Sequence, residues 1–102
     1  MKFYIYILQS LSTDKHYIGY SSNPWQRLEQ HNTSDRATFT AKYRPWKLSA
    51  VFFCPGGRSN AVKLERYIKR QKNKSLIQQM INDDMQLTGV LGMLIRVPNT
   101  SI

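Results

Sequence analysis

Few side chains in this sequence can hold or move charge during a reaction, and their types and spacing narrow the chemistry. Glu65 stands out first. Positions 61, 64, 65 and 68 follow the i, i+3, i+4, i+7 spacing of an inward helix face, and the other three are Ala61, Leu64 and Ile68. A carboxylate on such a stripe is costly unless it is paired or binds a cation. The plainer alternative is that Glu65 lies at the stripe's margin and bridges to Arg66 or Lys69. The other acids, Asp14, Glu29, Asp35, Asp83 and Asp84, make no spaced pair with it on one helix. So few carboxylates do not build a two-metal acidic cluster; any phosphoryl chemistry would use one metal at most, with other groups as base and charge clamp. Arg27 and His31 stand four apart, on one helical face, with Trp25 and Leu28 toward the packing side. A guanidinium suits a phosphate because its planar fork can bond two oxygens. His31 by itself reads as a surface or capping histidine. Tyr6 and Tyr17 can reach one face of a strand pair if the register allows. A tyrosine hydroxyl is a poor base unless nearby cations lower its pKa, and core packing with a wet hydroxyl is the simpler role for both.

These side chains need elements to hold them. "KFYIYIL" (2–8) is aromatic and β-branched and reads as a strand buried on both faces; "HYIGY" (16–20) resumes that character, so the two form a hairpin with a longer loop. Asn23 and Pro24 have the chemistry of a helix cap and first helical residue, and "PWQRLEQHN" follows. Residues 33–46 read as irregular and polar. "KLSAVFF" (47–53) is a third strand stopped by "CPGG"; helices follow over about 59–72 and 75–83. The expected fold is α+β, a three-stranded antiparallel or mixed sheet flanked by helices in the order β-β-α-β-α-α. Residues 1–84 form the domain, and residues 85–102 an extension of undetermined structure.

Fifteen Lys and Arg against six Asp and Glu give a formal charge of +9 over 102 residues, enough for one domain. That excess favours a polyanion partner, nucleic acid above all. Lys42, Arg44, Lys47, Lys69, Arg70, Lys72 and Lys74 are the candidate backbone contacts, and Phe39, Tyr43 and Trp46 candidates for stacking on an exposed base. No long Lys/Arg-rich amphipathic stretch supports a membrane-surface role, and "LTGVLGMLIRV" is too short and too interrupted by glycine to span a bilayer. The single Cys54 fits a buried thiol in a reducing compartment, so the cytoplasm is the expected location.

Taken in order, "YIY" at 4–6, "YIG" at 17–19, Arg27, the "KY" near 42 and the "LE" ending at Glu65 resemble the GIY-YIG nuclease family over roughly residues 2–80. The resemblance is to its small stand-alone bacterial members, which are similar to the incision domain of the excision-repair nuclease. It implies a metal-dependent endonuclease hydrolysing DNA phosphodiesters, with DNA repair or recombination as the setting and RNA as an alternative substrate. It assigns Tyr6, Tyr17, Arg27 and Glu65 as catalytic, with Glu65 holding one divalent metal, Mg²⁺ before Mn²⁺. Gly19 would leave room for the backbone to approach substrate; His31 and Asn32 are neighbours, and Asn73 is the candidate for a later asparagine beside the site. Two departures stand out. The first tripeptide opens with Tyr4, and Tyr20 follows the second where several family nucleases carry a basic residue, which Lys42 would have to replace. A partner protein would supply target choice. The rival readings are a binding module that kept the fold and lost turnover, and an interaction module that docks through its apolar tail.

Overall fold

The computed structural model describes residues 1–35, 38–82 and 86–98. Its elements are β1 (Phe3–Ser10), β2 (His16–Ser21), α1 (Pro24–Thr33), α2 (Thr38–Lys42), β3 (Trp46–Cys54), α3 (Gly57–Gln71), α4 (Lys74–Ile81), a short 3₁₀ turn (Gly89–Met93) and β4 (Ile95–Arg96). The class is α+β, as expected, with one correction: the sheet has four strands, in the order β2-β1-β3-β4, all antiparallel. The fourth comes from the tail, where two residues pair with Phe52 and Phe53. So short a strand lacks the alternating run from which strands are read in sequence. The segment read as irregular also contains the five-residue α2. Asp83 and Asp84 lie outside the described residues.

Hydrophobic alternation builds a core on each face of the sheet. Ile5, Ile7, Ala50, Phe52 and Cys54 pack against Ala61, Leu64 and Ile68 of α3 and Ile77 and Met80 of α4, joined by Leu91 and Leu94 from the tail. Tyr6, Leu8, Trp46, Leu48 and Val51 form the opposite core, with Leu28 of α1 against it. Strand β3 serves both faces because its register with β1 shifts between Ile7 and Leu8, where Ala50 and Leu48 are the successive partners. The extra residue reverses the facing of everything beyond it. β1 is an inner strand, while β2 is an edge, open between the two helical layers.

Local chemistry sets the helix starts. Asn23 accepts from the backbone N–H of Gln26, and Pro24 needs no donor at the first position of α1. At the other end, Arg44 donates from Nε to the carbonyl of His31 and from Nη2 to that of Ser34, both at 2.6 Å. Asn32 and Trp46 exchange two hydrogen bonds, side chain to backbone, which pin α1 to the start of β3. Before α3 the chain turns through Gly56 and Gly57 at φ of 96° and 77°, a left-handed path that glycine takes without a Cβ penalty.

Candidate active site

The antiparallel register pairs Tyr6 with Gly19 and Leu8 with Tyr17, so both tyrosines leave the sheet on the same face. A one-residue slip would have put them on opposite faces. The ring of Tyr6 lies across Gly19: a Cβ built there would stand 2.5 Å from Tyr6 Oη and 2.6 Å from Cζ. The space left by Gly19 is therefore filled by the Tyr6 ring.

Tyr6, Tyr17, Gly19, Arg27 and Glu65 line one open cleft of about 340 Å³ at the β2 edge, with Phe3, Tyr20, Ser21 and Ser22. Arg27 arrives from α1, on one face of the sheet, and Glu65 from α3, on the other. Arg27 also donates to Gln30 within its own helix. Glu65 accepts an ion pair from Lys69 one turn on, at 3.3 Å, while facing the cleft, so the marginal position and the cleft position are the same position.

Behind the cleft is a buried chain of polar groups. Tyr6 Oη is 3.0 Å from His31 Nε2, and His31 Nδ1 is 3.1 Å from Thr40 Oγ1. His31 is buried rather than a surface or capping residue. Burial, then the positive charges of Arg27 and Arg44, pushes its pKa down to about 4, so the ring is neutral at pH 7. Burial also pushes the Tyr6 hydroxyl up to about 12, against the hydrogen bond from Arg27 that lowers it. The expected effect of nearby cations is present but desolvation exceeds it, and the phenol stays protonated at neutral pH.

Other expected residues separate from this cleft. Asn73 caps α4, accepting from the N–H groups of Ser75 and Leu76, and lines a neighbouring cleft instead. Arg44 uses its guanidinium on the two carbonyls at the end of α1, which removes it from the phosphate-binding set. Trp46 is 3% exposed and donates to the carbonyl of Thr40, so it is a core residue and cannot stack on a base. Trp25, expected on the packing side, is exposed and meets Tyr4 edge-on. Lys42 lies over the ring of Tyr43 and is not part of the cleft wall. The cation beside Tyr20 is instead Arg58, from the first turn of α3, whose Nη2 donates to the Tyr20 hydroxyl at 3.3 Å. Sequence reading missed it because nothing in the spacing from 20 to 58 shows that α3 starts beside β2. Lys47, Lys69, Arg70 and Lys72 are exposed, and Lys74 pairs with Asp14.

A family model for the GIY-YIG catalytic domain matches residues 2–80. The chain belongs to the GIY-YIG family. Its fold is thus of a nuclease type, and nucleases of this family generally use a divalent metal. Among curated proteins none matches the chain. Among the described residues no group of three or more His, Cys, Asp or Glu gathers as a metal cage. A single carboxylate in an open cleft does fit Mg²⁺, which keeps several waters and takes one or two carboxylates plus phosphate oxygens. Glu65 would be the protein ligand. Among the described residues no helix is long and apolar enough to cross a membrane.

Proposed function

We propose that this GIY-YIG domain is a metal-dependent endonuclease that hydrolyses DNA phosphodiesters. One observation carries the reading: the two tyrosines, the arginine and the lone glutamate, scattered over sixty residues of sequence, line the same cleft in a domain of charge +9. Arg27 holds phosphoryl oxygens and stabilises the charge that develops on them. Tyr17 orients the attacking water. Tyr6, protonated and hydrogen-bonded to the neutral His31, helps hold that water; as the water oxygen bonds to phosphorus its proton passes to solvent in the open cleft, the bond to the leaving oxygen breaks, and that oxygen is protonated from solvent. The divalent cation, Mg²⁺ or Mn²⁺, held by Glu65, supplies Lewis-acid stabilisation when bound. The exposed lysines bind the sugar–phosphate backbone without reading sequence.

The wider setting follows from the same reading. The domain resembles the incision domain of excision-repair nucleases, with DNA repair or recombination as its role and a partner protein choosing the target. Buried Cys54, with its thiol pKa raised by burial, suits the reducing cytoplasm.

A binding module without turnover is the second reading, favoured by the Glu65–Lys69 ion pair, which occupies the carboxylate that would hold the metal. Incubating plasmid and branched DNA with Mg²⁺ or Mn²⁺ separates the two. The nuclease reading expects cleavage by the wild type and a loss of roughly 10²-fold or more in Glu65→Gln, the scale of removing one group that stabilises transition-state charge. Intact DNA bound tightly and salt-sensitively by the wild type would establish the binding module instead.

A further inference from the structure

The β2 edge carries a second cleft, also of about 340 Å³, which shares Tyr17 with the first. Its size falls within the ~300–1,000 Å³ range of ligand pockets. The interior is apolar, with Ile18, Ile68 and Ile77 against the sheet edge and the α3–α4 junction. Phe39 forms an aromatic wall; it is 53% exposed, its ring centroid 6.5 Å from that of Tyr17. Lys69 and Lys72 also line the cleft, and among the described residues no carboxylate does.

His16 belongs to the wall, with its Nε2 buried behind it. A ligand that satisfies this cleft has flat apolar faces for Phe39 and the isoleucines and anionic groups for the two lysines. A nucleotide has both.

We propose that the second cleft is a nucleobase subsite that receives the base of a nucleotide beside the cut. The assignment rests on the nuclease reading for what happens next door, and it narrows the substrate class. A base in this cleft has left its stack, so the preferred site has an unpaired nucleotide, as in single strands, flaps or branch points, next to the bond that is cut.

The test uses binding in the presence of a chelator, so that no cleavage intervenes. The probes are an end-labelled single-stranded deoxyadenylate and a strand of equal length whose sugars all lack bases, compared by fluorescence polarisation. The wild type binds the base-bearing strand tighter by roughly 5- to 150-fold, the range that one base–aromatic stack provides. Phe39→Ala narrows that gap, while affinity for the abasic strand stays within about twofold, because backbone contacts do not involve its side chain. Phe39 is half exposed, so its truncation leaves the core intact, and a thermal melt of the variant verifies this. Equal binding of the two strands by the wild type, or a gap that survives the substitution, overturns the subsite. A wild-type protein that shows the gap yet cuts nothing with Mg²⁺ or Mn²⁺ refutes the nuclease reading and leaves the subsite standing.

Discussion

Replacing Gly19 by alanine puts the relation between the two tripeptides under direct strain. The new Cβ meets Tyr6 Oη, Cζ and Cε1 at 2.5, 2.6 and 2.9 Å, contacts that real Cβ atoms do not make. Tyr6 cannot swing aside freely, because its side chain is 1% exposed and packed with Leu8 and Val51. Overpacking of a filled core costs about 1–3 kcal/mol. If the ring moves instead, the Tyr6–His31 hydrogen bond is lost, and a buried polar group left without its partner costs about 1–3 kcal/mol as well. By either route the expected loss is roughly 1–3 kcal/mol, read by urea denaturation, with each kcal/mol lowering Tm by about 4–8 °C in a domain of this size. Cleavage by the fraction that remains folded falls by roughly 10²-fold, because a displacement near 1 Å at a reacting group has that effect. The decisive arm is Tyr6→Leu, which removes the three atoms that Cβ meets. In the double variant the alanine then costs little, and the two changes couple by at least ~1 kcal/mol. Additivity within about 0.5 kcal/mol would refute the packing account.

Three further outcomes follow from the same geometry. The His31 pKa is lowered from 6.5 to about 4, so below pH 6.5 the unfolded chain takes up a proton that the folded one refuses; stability is full above that pH and falls toward pH 4 by at most roughly 3 kcal/mol, and urea melts of His31→Gln should show a flatter pH dependence. Arg44→Ala should destabilise by roughly 2 kcal/mol through its two lost charge-assisted bonds yet leave the salt dependence of DNA binding unchanged, whereas Lys72→Ala should reduce that slope by about 1, as titrations over a range of salt concentrations would show. Asn73→Ala should lose about 1 kcal/mol with its cap on α4, and Asn73→Asp, which keeps an accepting oxygen, should retain most of it in thermal melts.

How much of this was legible in the sequence depended on how local the cause was. Asn23-Pro24 announced α1, the stripe of Ala61, Leu64 and Ile68 announced α3, and aromatic β-branched runs announced β1, because caps and periodicity act within a turn or two of chain. Tyr6, Tyr17, Arg27 and Glu65 could be named as site candidates from an ordered set of motifs. Position in the sequence could not supply their surroundings. His31 looked like a surface residue until Tyr6 and Thr40 enclosed it, and burial then set both pKa values against the simple effect of neighbouring cations. Arg44, Trp46 and Asn73 carried side chains suited to a nucleic acid, but backbone carbonyls and a helix end claimed them first. Two residues of β4 carry no pattern of their own and became a strand only because β3 offered a free edge. Sequence alone thus determined β1, β2, β3, α1, α3 and α4 and which side chains are chemically able. Only the tertiary structure decided which of them face one cleft, because strand register, the bulge in β3 and competition for buried partners are fixed by contacts between residues distant in the chain.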